Sequence, residues 1–205
     1  MSPWSDRVHR ELSGQGWSAA LLPPVHTAVQ RDLSPALADD PRGAGKMHAR
    51  DVITYDWAAE GADEFPRLRL RECESAAHGT VDDFSRFRLL DSNSANFAAR
   101  TILTLIPPEL RRASGRMSAD YFHYERGAGS EAHQDKFGDV VAIWVLDRDG
   151  DGGENFLHTL DGREVLYRTL EPGEVLLFQD AMFYHGVEAM RGGHRDALIF
   201  ITLRD

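Results

Sequence analysis

Cysteine is almost missing from this chain: Cys73 is the single one in 205 residues. That excludes an intrachain disulfide framework and a cysteine-built zinc site, and it fits a reducing, cytoplasmic setting. Cys73 itself reads as a partly buried small apolar side chain rather than a nucleophile. Long apolar runs are missing too. The longest, residues 140–146 and 198–203, fall far below the roughly 20 residues that a membrane span needs. The opening MSPWSDRVHREL holds no apolar signal-peptide core, so export is not expected. Positive charge is in short supply: 23 Lys and Arg against 33 Asp and Glu leave a net charge of −10. Such a surface repels phosphate backbones, which argues against nucleic acid as a partner.

What is present is ordinary for a globular protein, with 42% hydrophobic and 27% charged residues. The length suits one domain spanning 1–205 with a sizeable core. Its texture changes midway. Residues 1–115 read as mixed structure with helices. Ser5 is placed to cap a helix through 7–12 that ends at Gly14. Apolar residues at helical spacing recur over 27–37, broken by Pro35, and over 96–105, stopped by Pro107-Pro108. Residues 39–45 (DDPRGAG) read as an exposed loop. Residues 116–205 are rich in β-formers, at 118–124, 140–146, 164–170, 174–178 and 197–203. Turn signals separate them at 127–129, 148–153, 161–162, 172–173 and 192–193. Short strands at this spacing predict an antiparallel sandwich or barrel rather than βαβ units. The fold class expected is therefore mostly β with flanking helices (α+β), the helices packed outside the barrel.

The chemistry concentrates in the second half. His133-Gln134-Asp135 sets two ligand-type side chains two residues apart, on one face of an extended segment. His185 follows fifty residues later. Two imidazoles and one carboxylate on one face of an octahedral ion leave three positions open, the facial triad of iron(II) oxygenases. An isolated H-x-D pair is weak evidence. Arg195, ten residues after His185 and at the start of a strand, strengthens it. A guanidinium there offers a permanently charged two-pronged clamp for a carboxylate.

With these residues in view, the chain resembles the Fe(II)/2-oxoglutarate-dependent dioxygenases over about residues 117–203. Tyr124-x-x-Gly127 leads into HQD at 133–135, and VVAIWVLDRDGDGGENFL follows at 140–157. LEPGEVLLFQDAMFYHGVEAM at 170–190 and Arg195 complete the pattern. The resemblance implies a double-stranded β-helix (jelly-roll, cupin-like) barrel. It assigns His133, Asp135 and His185 to iron, and Arg195 to the distal carboxylate of 2-oxoglutarate, with Tyr124 beside it. Fe(II), 2-oxoglutarate and O₂ would be the cofactors and cosubstrates. Many relatives carry Ser or Thr two residues after the arginine, where this chain has Ala197, so either another group such as Tyr124 or Tyr121 completes the pocket or the clamp is weaker. Because the carboxylate ligand Asp135 is retained, hydroxylation is the implied outcome rather than halogenation, while desaturation or ring closure stays open with the same ligands. The DGGEN segment and compact size look most like the bacterial free L-amino-acid (L-isoleucine-type) hydroxylases.

A free amino acid would need a cation for its carboxylate and acceptors for its ammonium group. Arg86 and Arg88 are candidates for the first, and Asp91, Glu154 and Tyr121 for the second, with Arg88, Tyr121 and Glu154 carried forward as substrate-binding residues. His123 alternates with Phe122 and Tyr124 and faces away from Tyr124. His158 and His194 read as solvent-facing. Two rivals remain: an oxygenase for a larger or carrier-bound intermediate, and a non-catalytic cupin-like metal-binding barrel. A homodimer is the default assembly on base rates.

Overall fold

The structure, a computed structural model, describes residues 3–22, 24–30, 46–56, 69–70, 93–110, 114–135 and 138–203. The β-rich second half forms strands because its runs are dense in β-branched and aromatic residues, as in VVAIWVL and LIFIT. In chain order the elements are α1 (Pro3–Gln15), β1 (Trp17–Leu21), β2 (Lys46–Asp56), β3 (Arg69–Leu70) and α2 (Asn93–Leu105). β4 (Ser114–Glu125), β5 (Ser130–His133), β6 (Gly138–Asp149) and β7 (Asn155–Thr159) follow. β8 (Glu164–Arg168), β9 (Glu174–Gln179), β10 (Phe183–Val187) and β11 (His194–Leu203) close the fold.

The strands make two antiparallel sheets. The larger runs β1-β9-β6-β11-β4-β2-β3 and the smaller β5-β10-β7-β8. They face each other as the double-stranded β-helix expected from the sequence. Strand parity sorts the side chains into two cores. Val141, Ile143 and Val145 of β6 point inward and meet Leu157, Leu166 and Phe183 of the small sheet. Val140, Ala142, Trp144 and Leu146 point outward, against Val8 and Leu12 of α1 and Ile102, Leu103 and Leu105 of α2. Both faces of β6 are covered, so its sequence is continuously apolar instead of alternating.

The helices therefore pack outside the barrel, as the sequence suggested. The first half also contributes strands. β1 pairs with β9 and β2 pairs with β4 over eleven residues, so strand pairing crosses the 115/116 division. Helix α1 begins at Pro3, where a fixed φ and a missing N–H suit a first turn. Ser5 lies inside that helix and is not its cap. Residues 26–30 form a helical turn, and the rest of the stretch 27–37 lies outside the described residues, as do the 39–45 loop and Cys73. Among the described residues, no helix is long and apolar enough to cross a membrane.

Candidate metal and cosubstrate site

The site starts from one antiparallel pairing. β5 and β10 run side by side with His133 opposite His185, and Asp135 follows β5 by two residues. The two rings stand 4.3 Å apart at 48°. Asp135 completes the group: its Oδ1 lies 3.9 Å from His133 Nε2 and its Oδ2 3.5 Å from His185 Nε2. One ligand atom from each residue lies within 4.8 Å of the others, a donor set of two nitrogens and one oxygen. His133 Nδ1 donates to the Glu131 carbonyl at 2.7 Å, which leaves Nε2 as the bare nitrogen facing the group. His185 is 4% exposed, with the Phe178 ring at 4.7 Å. Burial, and then the neighbouring His133, push its pKa down to about 3, so this imidazole is neutral and its lone pair is free for a metal.

Close backbone approach permits the pairing. A Cβ at Gly186 would run into the Phe156 ring and come 2.5 Å from the Ser130 carbonyl. Only a residue without a side chain lets β5 lie this near to β10. The loop after β5 is tied down by Asp180, a buried residue in the helical turn Asp180–Met182 between β9 and β10. Asp180 Oδ1 accepts the Asp135 backbone N–H at 3.0 Å, and the Gln134 side chain donates to the Asp180 carbonyl at 3.0 Å.

Arg195 lies on the inner face of β11, fully buried, opposite Tyr124 in the β4–β11 register. Its guanidinium sits 5.4 Å from the centre of the Tyr124 ring. One nitrogen, Nη2, donates to Asn155 Oδ1 at 3.0 Å, while Nε and Nη1 have no hydrogen-bond partner among the described residues. Burial pulls the arginine pKa below its ordinary value, and burial pushes Tyr124 up to about 12. Gly153 makes room for the guanidinium's stem. Its φ is +70°, and a Cβ there would stand 3.2 Å from Arg195 Cδ and 2.5 Å from Met190 Sδ. A buried cation with two unused donor nitrogens is costly unless an anion joins it, so the pocket fits a carboxylate.

A cavity of about 60 Å³ is lined by His133, Asp135 and His185 at one side and by Tyr124, Phe122 and Asp120 of β4 at another; Arg195 is not among its lining residues. Two sequence-based assignments need correction. Tyr121 is three residues from Tyr124 and so faces outward. It is packed with the α1 and α2 side chains, and its hydroxyl donates to Asp196 Oδ1 at 2.8 Å. It reaches neither the cosubstrate pocket nor the cavity. Glu154 is held outside by Arg191, whose Nη2 lies 2.6 Å from Glu154 Oε1, and it does not line the cavity. Arg88, with Arg86 and Asp91, lies outside the described residues. His123 does face away from Tyr124, with Nδ1 2.5 Å from Asp196 Oδ1. His158 stacks on Phe156 at 5.2 Å, and His194 Nε2 stands 3.3 Å from Asp147.

Three residues escaped the sequence reading. Asn155 lies in the quoted DGGEN segment, Asp120 shares the strand parity of Phe122 and Tyr124, and Asp180 stands five residues before His185. Only Asp120 carried a usable signal, its even spacing from Tyr124.

Comparison with known proteins fits this geometry. Residues 114–201, under half of the chain, match the family model described as 2OG-Fe dioxygenase. Solved structures share the fold. IDO from Bacillus thuringiensis aligns with a TM-score of 0.73 at 13% identity, spanning 100% of this chain and 98% of that one. A Pseudomonas putida prolyl-4-hydroxylase aligns at 0.62 and 16%, spanning 99% and 100%. A prolyl hydroxylase in complex with a hypoxia inducible factor oxygen degradation domain peptide fragment, from Trichoplax adhaerens, aligns at 0.58 and 14%, spanning 99% and 94%. At such identities the likeness is one of fold. No curated protein matches the chain.

Proposed function

We propose that this chain, a 2-oxoglutarate-dependent iron(II) oxygenase, hydroxylates an unactivated C–H bond of a small substrate, a free L-amino acid or a close derivative. In this reading His133, Asp135 and His185 hold iron(II), and Arg195 receives the distal carboxylate of 2-oxoglutarate. The observation that carries it is the buried Arg195 guanidinium, with two nitrogens unpartnered among the described residues, next along the inner face from the cavity that holds the two-histidine, one-carboxylate group. A barrel that only stored a metal would have no use for such a cation.

When bound, iron with 2-oxoglutarate and O₂ supplies the oxidising power for the C–H bond, and succinate and CO₂ leave as co-products. The chain's own residues bind, orient and exclude. Two neutral imidazoles and a carboxylate suit iron(II) and leave three coordination positions open. Arg195 fixes the cosubstrate by a two-pronged contact, and the Tyr124 ring covers the guanidinium and keeps water from it. Ala197 offers no hydroxyl to that pocket. Asn155, whose Nδ2 is buried without a partner among the described residues, stands on the arginine in its place. For the substrate, Asp120 brings a carboxylate to the cavity wall that would suit an ammonium group, while Phe122 and Ile143 suit an apolar side chain.

A larger substrate is the second reading, favoured by one observation: β5 is an edge strand, and His133 at its end keeps its side chain 44% exposed. The test measures succinate release by anaerobically iron-loaded protein given 2-oxoglutarate and O₂, against a panel of free L-amino acids and proline-containing peptides. Stimulation by one amino acid is expected. Stimulation only by peptides would move the reading to the larger substrate, and no iron-dependent succinate under any condition would sink both.

A further inference from the structure

We propose that Asp180 is the positioning residue of the iron site, holding two of its three ligands through one carboxylate; this rests on the reading of His133, Asp135 and His185 as the iron ligands. The two ligands come from separate stretches of chain. Asp135 follows β5, and His185 sits in the middle of β10. Asp180 Oδ1 touches the first directly, accepting its backbone N–H at 3.0 Å. The same oxygen stands 4.0 Å from His185 Nδ1. That nitrogen is buried and has no hydrogen-bond partner among the described residues.

The chemistry of a histidine ligand gives this pairing its meaning. If Nε2 of His185, which faces Asp135 at 3.5 Å, gives its lone pair to the metal, the ring proton must sit on Nδ1. A metal-bound imidazole is oriented by the acceptor of that proton, and a carboxylate is the strongest one available. Asp180 is buried, so its charge acts in a low-dielectric setting. Its own position is fixed from behind. The preceding Gln179 donates from its side chain to the Leu12 carbonyl at 2.9 Å and from its backbone to Gly16 at 2.8 Å. The end of α1 thus anchors the turn that holds Asp180, and Asp180 holds the ligands.

The test is Co(II) affinity, read anaerobically by chelator competition and by the cobalt d–d absorption bands, well below the thermal midpoint. Asp180→Ala should weaken Co(II) binding by about 10–100-fold, the usual cost of losing such a partner. Asp180→Asn keeps an oxygen for the Asp135 N–H but offers the imidazole a neutral acceptor, so it should fall between, at about threefold or more. A purely structural role would lower the thermal midpoint of both variants and leave the affinity of the folded protein unchanged. Affinity within twofold of wild type in folded Asp180→Ala, or in Asp180→Asn if the alanine variant does not fold, would overturn the inference. His185→Ala is run alongside. If it too binds Co(II) like wild type, the failure belongs to the triad, and the inference falls with it.

Discussion

Arg195 carries an internal conflict that can be measured at the scale of one residue. Its guanidinium is fully buried, stacked on Tyr124 and, among the described residues, hydrogen-bonded once, to Asn155, so within that set the cation lacks a full set of partners. Replacing such a group by an apolar side chain of similar length relieves the desolvation cost. Arg195→Met should therefore raise the thermal midpoint of the ligand-free protein by about 2–4 °C, equivalent to roughly 1 kcal/mol. The same change should raise the KM for 2-oxoglutarate by about 100-fold or more, since a charge-assisted two-pronged contact is lost. Calorimetry and succinate kinetics check the two signs separately. A fall in both stability and cosubstrate affinity would show that the arginine is satisfied in the free protein. Candidates of this kind could be named from the sequence. H-x-D, a distant His-Gly-Val and an arginine ten residues on are local patterns. The place of Glu154 could not be read there, because its partner Arg191 is 37 positions away and nothing nearby announces the pairing.

Elements fail or succeed by parity and by close approach. β4 and β11 present Tyr124 and Arg195 to the interior, while Tyr121, His123 and Asp196 lie on the reverse. The alternation that placed His123 correctly would have placed Tyr121 outside as well, since three steps along a strand change faces. β1, β5 and β10 were harder to see. WSAAL and SEAH are short and weak in β-formers, FYHGV is richer in them but only five residues long, and all three are paired in ladders. Gly186 gives a direct test of one ladder. Gly186→Ala should push β5, and His133 with it, away from β10, lowering iron-dependent turnover tenfold or more, with an overpacking cost of about 1–3 kcal/mol. Unchanged metal affinity in that variant would show that β5 tolerates the displacement. The reverse face has its own pH signature. The Asp196 hydrogen bond raises the pKa of His123 above its ordinary 6.5 against an opposing push from burial, with Glu125 adding to the rise. A raised pKa means the charged ring stabilises the fold fully below pH 6.5, and that support is lost as pH climbs through the folded value. Urea midpoints across pH 6–9 should fall with rising pH in wild type, and His123→Gln should flatten that part of the curve.

The described residues form two sheets with helices on one outer face, and most of that outline followed from runs of β-formers separated by turns. What did not follow was the share taken by the first half, where β2 lies along β4 for eleven residues. Its sequence, KMHARDVITYD, mixes charge and apolar residues without clean alternation, so its place in the sheet is set by β4 rather than by its own pattern. Because metal and cosubstrate would bind only the folded barrel, they should stabilise all of it together. Iron(II) and 2-oxoglutarate, each at about 100 times its dissociation constant, should add about 2.7 kcal/mol apiece, together a rise of roughly 10–20 °C in thermal midpoint. Differential scanning under argon reads this, and the cosubstrate part of the rise should vanish in Arg195→Met. The placing of Arg195 on β11 and of His133 and His185 on β5 and β10 has a further consequence. Arg195 and His185 are buried on paired strands, which limits how far either can shift to suit a different cosubstrate. A 2-oxo acid without a far carboxylate would leave the cation buried and alone, and one carbon more or fewer would miss one end. If Arg195 takes the far carboxylate, the barrel would act as a gauge for chain length, admitting the five-carbon diacid over pyruvate, oxaloacetate and 2-oxoadipate by ruler rather than by shape.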